Sequence, residues 1–214
     1  MIVAADYKLS LFGRDTQSLY YQYLKSKIHH RSAVRLREMC CENGGCFVKV
    51  AQHLGSLDYL IPSEYVEVMR VLHSKAPFSP IDDVKQVIRE ELGRPVDEIF
   101  ESFSDVPCGA ASLAQAHKAR LKGSHEDVVV KVQHKNVKKF AYLDMKTMEF
   151  LVGVAERFFP DFKFRWLVEV TKQNLPLELD FLHEADNCEQ AEKIYDDMSS
   201  FLKVFLFFFK YFFS

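Results

Sequence analysis

Lys131 stands in the run Val128-Val129-Val130-Lys131-Val132-Gln133, where strand alternation puts Val128, Val130 and Val132 on one face and Val129, Lys131 and Gln133 on the other. A lysine among valines either snorkels from an edge strand to water or serves as a fixed cation for phosphate groups. The second use needs a carboxylate to hold the ammonium in place. Glu184 is the candidate, because Phe181, Ala185, Cys188, Ala191, Tyr195 and Met198 recur at helical spacing and Glu184 lies at the edge of that apolar stripe. A carboxylate there is unfavourable unless paired, and an opposed Lys131 would satisfy both charges. A rim glutamate bonded to water is the open alternative.

The segment Cys108-Gly109-Ala110-Ala111-Ser112 is a turn of small residues. Phosphate-binding loops use small residues, glycine above all, so that backbone N–H groups approach the ligand, and alanine permits less of that freedom. Alone, the segment reads as an ordinary tight entry to a strand; preceding a hairpin whose second strand carries Lys131, it becomes a candidate loop over a nucleotide. Lys49 and Gln52 lie one helical turn apart, and Glu178 and Asp180 shortly precede Glu184. By composition alone both sets are solvated polar side chains.

Several elements must position these residues. Phe47, Val50, Ala51 and Leu54 recur at helical spacing, as do Tyr65, Val68, Met69 and Leu72 after Pro62, which suits a first helical turn. Ala76-Pro77-Phe78-Ser79-Pro80 reads as a linker, and Ile81 to Leu92 as a helix closed by Gly93 with Pro95 beyond it. Ser112 to Leu121 and Val128 to Gln133 are expected strands of an antiparallel hairpin, joined by the turn residues 122–127. Helices follow over Val137 to Phe159, ended by Pro160, and over Arg165 to Met198, interrupted near Pro176. Helices, a small antiparallel sheet and more helices make an α+β protein, with a boundary near residue 95.

Composition narrows the function classes. Lys and Arg number 28 against 30 Asp and Glu, a net charge of -2, which fits neither a polybasic nucleic-acid binder nor an acidic disordered tail. The five cysteines include no CxxC pair, and His183-Glu184 lacks a second histidine four residues on, so neither disulfide nor zinc-site spacing is present. The first 15 residues show no secretory pattern. Lys25, Lys27, Arg31, Arg35 and Arg37 fall in an acid-free stretch, readable as a mitochondrial address or as a solvated helix face. Seven of the 19 phenylalanines fall in the last 14 residues, a segment interrupted by Lys203 and Lys210 and shorter than the roughly 20 apolar residues a membrane span needs.

These pieces together resemble the UbiB family, the AarF-domain-containing atypical kinases, and within it the first animal branch. The resemblance runs from about Ser32 to Val204. It rests on Lys49-Val50-Ala51-Gln52 with His53-Leu54-Gly55, on Ala111-Ser112-Leu113-Ala114-Gln115-Ala116-His117, on Val130-Lys131-Val132-Gln133 and on Leu175-Pro176-Leu177-Glu178-Leu179-Asp180-Phe181. It implies that Lys131 is the nucleotide-binding lysine, Glu184 its ion-pair partner, and Gly109, Ala110, Ala111 and Ser112 the alanine-rich loop over ATP or ADP. It also implies that Lys49 and Gln52 are the KxGQ signature and Glu178 and Asp180 the ExD signature, which meet where a helical extension folds over the kinase lobe. Ala51 stands where that signature has glycine, and Gly109 where the loop has its first alanine.

The resemblance further implies a helical extension over residues 1–95, part of an atypical-kinase N-lobe over 96–204, and a Phe-rich tail over 205–214 with no family counterpart. After Val204 the family continues into a hinge, a catalytic loop with Asp and Asn, and a metal-binding Asp. Phosphoryl transfer needs those groups to orient the nucleophile and hold Mg²⁺. The expectation is weak nucleotide binding without turnover, by the front part of a mitochondrial kinase or ATPase of lipid and coenzyme Q homeostasis whose C-lobe is missing. Two further readings stay open. One is a non-catalytic module that binds a membrane surface or another kinase-like chain. The other is a helical structural protein with an incidental hairpin, in which Lys131 and Glu184 would lie beyond ion-pair reach, roughly 4 Å.

Overall fold

The computed structural model of the chain describes residues 2–159, 161 and 163–197. The expectations for Pro160, Met198 and the Phe-rich segment 205–214 lie outside these residues. The fold is α+β, with helices before and after a small antiparallel sheet. The chain divides into two compact units, residues 1–77 with 141–168 and residues 78–140 with 169–214.

The first unit is helical. It holds α1 (Ile2–Leu11), α2 (Leu19–Asn43), α3 (Gly45–Leu54), α4 (Ser63–Arg70) and a 3₁₀ turn over Val71–His73. Ser18 starts α2 by accepting the Tyr21 N–H on its hydroxyl at 3.1 Å. α1 folds back on α2 through Asp6, whose carboxylate is gripped by Arg31 and Arg35. Hydrogen bonding to Arg31 first, and to Arg35, holds the Asp6 carboxyl down at about 2 against the opposing effect of burial. Ile28, Phe47, Ala51, Met69 and Leu72 are buried in this unit. Pro62 precedes the first residue of α4 rather than occupying its first turn. Gly55 is required where it stands, because a Cβ would lie 2.9 Å from the backbone nitrogen of Arg70.

The second unit is built on the sheet. α5 (Ile81–Leu92) carries Asp82 and Asp83 in its first turn, where they favour the helix dipole, and ends at Gly93 in the left-handed conformation at φ 67°. The short α6 (Val96–Ile99) leads into β1 (Phe100–Phe103), followed by β2 (Gly109–Ala110), β3 (Ala114–Leu121) and β4 (Asp127–Gln133). The expected hairpin is β3–β4, paired from Ala114↔Gln133 to Arg120↔Asp127. β4 occupies one edge of β3 along most of its length, so β1 and β2 share the other edge. Ser112 and Leu113, expected in the first strand of the hairpin, instead lie in the turn between β2 and β3.

The core of this unit packs Val84 and Ile88 of α5 against Ile99, Phe100, Ala119, Leu121 and Val132, with Val128 and Val130 alongside. The three valines on alternate positions of β4 thus form its core face. α5, grouped with the extension in the sequence reading, packs on the sheet instead, so residues 78–95 belong with the strands. The apolar face of α5 and the alternating valines are complementary surfaces that cover each other, which is the physical reason for the shift.

Three helices follow the sheet among the described residues. α7 (Val137–Phe158) and α8 (Arg165–Glu178) each run across the division between the units, and α9 (Phe181–Asp197) lies in the second. Pro176 does not interrupt the helix as expected. It sits in the last turn of α8, where the missing N–H removes one hydrogen bond, and the break falls at Leu179-Asp180.

Candidate functional site

β4 presents Lys131 on the face away from the valine core, and α9 presents Glu184 in its first turn. The Lys131 ammonium donates to both carboxylate oxygens of Glu184, at 2.6 and 2.7 Å. It also lies 4.7 Å from the centre of the Phe181 ring, a cation–π distance. The side chains remain 26% and 37% exposed, so the pair is fixed yet open to a ligand. Phe181, Glu184, Ala185, Cys188, Ala191 and Tyr195 are all at least partly buried, the stripe expected from their spacing.

Two residues hold α9 in position. Asp180 accepts the His183 N–H on its side chain at 3.1 Å, an N-cap that fixes the turn bearing Glu184. Gln133, two residues after Lys131 on the same face of β4, donates to the Leu179 carbonyl at 2.7 Å. The corner between α8 and α9 is therefore tied to the strand that carries the lysine. Gln133 was part of a motif with no role attached, and its place two positions from Lys131 was the available signal.

The sheet register sets what lies beside the lysine. Gly109 pairs with Ala116, and Ala116 with Lys131. Directly paired residues point to the same face, so Gly109, Ala116 and Lys131 form one row across three strands, about 10 Å from end to end. Side chains of zero and one carbon leave the sheet surface beside Lys131 uncovered from within the row. Ala110 pairs with Gln115 and so shares the opposite face, while Ala111 and Ser112 make the turn. Of the four expected loop residues, Gly109 alone shares the Lys131 face of the sheet.

The loop is anchored. The Cys108 N–H donates to Ala116 O and the Ala111 N–H to Ala114 O, each at 2.8 Å, which commits two of the donors a phosphate would use. His134, just past β4, donates its backbone N–H to Leu113 O at 3.0 Å and its Nε2–H to Ala111 O at 3.0 Å, while its Nδ1 accepts from the Ser79 hydroxyl at 2.9 Å. Burial pushes the His134 imidazole below its ordinary pKa, which favours the neutral ring this pattern needs.

On the other face of β3, Gln115 and His117 are buried. His117 Nδ1–H donates to Ser104 O at 2.7 Å, its Nε2 accepts from Gln115 Nε2 at 2.9 Å, and its ring stacks on Phe103. Gln115 Oε1 accepts the Ser79 N–H at 2.6 Å. These residues fasten the linker at Ser79 and the bend at Ser104 to the central strand. Nothing in the sequence reading gave them work. Their signal was polar identity at positions whose alternation matches Ala119 and Leu121.

The remaining expected residues fall as follows. Lys49 and Gln52 lie on α3 in the first unit, half-buried, and Gln52 donates to Leu72 O at 3.0 Å across to the 3₁₀ turn. Ala51 between them is fully buried, so its methyl group is part of that unit's core. Glu178 ends α8 in the second unit, half-buried, and Asp180 is exposed. A cleft of about 170 Å³ opens between α5 and the α8–α9 corner, lined by apolar side chains such as Leu92 and Leu179 together with the charged Glu91, Lys131, Lys138 and Asp180. Among the described residues no group of three metal-ligating side chains occurs.

A strand lysine held by a helix carboxylate beside a row of small residues offers a fixed, partly exposed cation. Residues 71–204 match the model of the ABC1 atypical kinase-like domain, and the chain belongs to that family. It is 51% identical to AarF domain-containing protein kinase 1 of Gallus gallus over 95% of this chain and 39% of that protein. The Drosophila melanogaster AarF domain-containing kinase 1 is likewise 51% identical, over 89% of this chain and 37% of that one. The chain spans less than two-fifths of the length of these relatives. Among solved structures, a Mycobacterium tuberculosis protein in complex with erythromycin is 31% identical, covering 82% of this chain and 45% of that one at a TM-score of 0.43.

Proposed function

We propose that the second unit binds the phosphates of ATP or ADP at Lys131, and that these 214 residues hold nucleotide weakly without turning it over. The observation that carries the reading is the Lys131–Glu184 pair, closed at 2.6 and 2.7 Å beside the row Gly109–Ala116–Lys131. Glu184 and the Phe181 ring hold the ammonium so that little side-chain entropy is lost when phosphate arrives. Gly109 and Ala116 leave room for the ligand against the strand. The described residues fit phosphate recognition by a point charge, the Lys131 ammonium.

The helical unit with Lys49 and Gln52, and Glu178 with Asp180, are on this reading the regulatory signatures of the family. The wider role follows the family resemblance: a mitochondrial kinase-like or ATPase activity in lipid and coenzyme Q homeostasis, exercised by the full-length protein. Equilibrium binding of a fluorescent ATP analogue to the purified chain tests the site. Lys131→Ala should weaken binding on the order of tenfold or more, the loss of a charge-assisted contact. Unchanged affinity in that variant would remove the site, and Mg-dependent ATP hydrolysis abolished by Lys131→Ala would overturn the absence of turnover.

A further inference from the structure

The tip of the α1–α2 hairpin carries a surface that its own unit does not use. Asp6 is clamped by Arg31 and Arg35, and Gly13 turns the chain at φ 68°, so the far end of the hairpin is formed by the end of α1, residues 12–18 and the start of α2. Leu9, Phe12 and Leu19 are 79%, 86% and 83% exposed there, and Tyr20 and Tyr23 are more than half exposed. Buried side chains such as Ile28 begin only further along α2. Large apolar side chains set this far into solvent on consecutive elements mark a surface made for a partner.

The charge at the tip has one dominant sign. Residues 8–27 hold Lys8, Arg14, Lys25 and Lys27 against the single acid Asp15, in a chain whose overall net charge is -2. α4 adds one acid at the margin, Glu64, which accepts from the Ser26 hydroxyl. Arg14 lies over the Tyr20 ring at 5.2 Å and Lys27 over the Tyr23 ring at 4.5 Å, so cations and aromatic rings are interleaved. Protruding leucine and phenylalanine, flanked by tyrosine and bracketed by lysine and arginine, match the chemistry of a bilayer interface, with its acyl boundary, carbonyl level and anionic headgroups. A nucleic acid would use the bases and rings but leave Leu9 and Leu19 in water. A protein groove could also take the projecting leucines and Phe12, and it is the occupant left if the chain binds neither kind of vesicle.

We propose that the α1–α2 tip docks on an anionic lipid bilayer, with Leu9, Phe12 and Leu19 entering the interface and Arg14, Lys25 and Lys27 meeting the headgroups. This inference is independent of the nucleotide site and uses none of its residues. It also differs from binding through the Phe-rich segment 205–214, which every variant below retains.

Co-sedimentation of the full chain with vesicles of phosphatidylcholine, alone or mixed with phosphatidylglycerol, tests it. Binding should be on the order of a hundredfold tighter to the anionic vesicles, given roughly one decade or slightly less per net positive charge at the surface. Phe12→Ser with Leu19→Ser should weaken it about tenfold or more, and Arg14→Glu with Lys25→Glu and Lys27→Glu should abolish the preference for anionic lipid. All of these positions face water, so the unfolding midpoint and nucleotide affinity should not change; if the double variant unfolds early, Phe12→Ser alone gives the same test. Equal binding to neutral vesicles, no binding to either, or full retention in the serine variants would overturn the proposal. Displacement of the chain from vesicles by a short RNA would reassign the basic face to nucleic acid and overturn it as well.

Discussion

The two faces of β3 are made from one short motif and do opposite things. On one face Gln115, His117, Ala119 and Leu121 are all buried, and the polar members satisfy each other and the backbone at Ser79 and Ser104. On the other, Ala114 is buried and Ala116 only partly exposed, and the nearby charges stand on neighbouring elements, Lys131 on β4 and Glu184 on α9. The closed face uses hydrogen bonds between neutral groups, which are stable in a dry interior when complete. The open face uses an ion pair kept in partial contact with water, where a charged ligand can still displace solvent. If the proposed nucleotide site lies at Lys131, fold and function are separated across the thickness of a single strand, and substitutions on the two sides should affect different measurements.

The largest expected effect is on the closed face. His117→Ala leaves Gln115 without its ring partner, strands the Ser104 carbonyl and empties the space against Phe103. Loss of about 3 kcal/mol in urea unfolding is expected, from unsatisfied buried groups together with a cavity. Nucleotide affinity of the fraction still folded should be unchanged. An affinity loss as large as that of Lys131→Ala, measured well below the unfolding midpoint, would mean that the two faces are not separate.

A smaller effect is expected where the open face is assembled. Asp180→Ala removes the cap from α9 and should lower stability by about 1 kcal/mol. Because that cap fixes the turn holding Glu184, affinity should also fall, though less than in Lys131→Ala. Hydrogen exchange of the His183 and Glu184 amides reports the fraying directly, and faster exchange is expected at both. Unchanged exchange with reduced affinity would instead give Asp180 a direct role toward the ligand.

The contrast between the faces also explains what the sequence made legible. Lys131 could be singled out because valines on both sides fix its alternation, and Glu184 because a helical stripe defines an edge for it to occupy. Gly93 closed α5 as its position suggests. β1 and β2 were not legible: four residues after a single helical turn, and two residues alone, are too short for period two to show. Gln115 and His117 escaped because alternation marks burial by apolarity, and a buried network made of polar residues inverts that signal. The break before α9 was misplaced for a related reason. Proline is a strong mark in a sequence, yet in the final helical turn it removes little, while the residue that starts the next helix is Asp180, whose capping role needed the fold to be seen.

The smallest effect probes the row itself. Gly109 has no positive φ, and a Cβ built on it meets nothing within 4 Å, so alanine fits the backbone without strain. Gly109→Ala should therefore leave stability unchanged or raise it by up to about 1 kcal/mol, through a less flexible unfolded chain. The new methyl group would stand on the Lys131 face, in the row that runs through Ala116. If nucleotide lies along that row, its affinity should shift by several-fold while stability holds. Titration of the same fluorescent ATP analogue checks this, and identical affinity in the two proteins would place the ligand away from Gly109, leaving Lys131 and Glu184 to hold it from the α9 side alone.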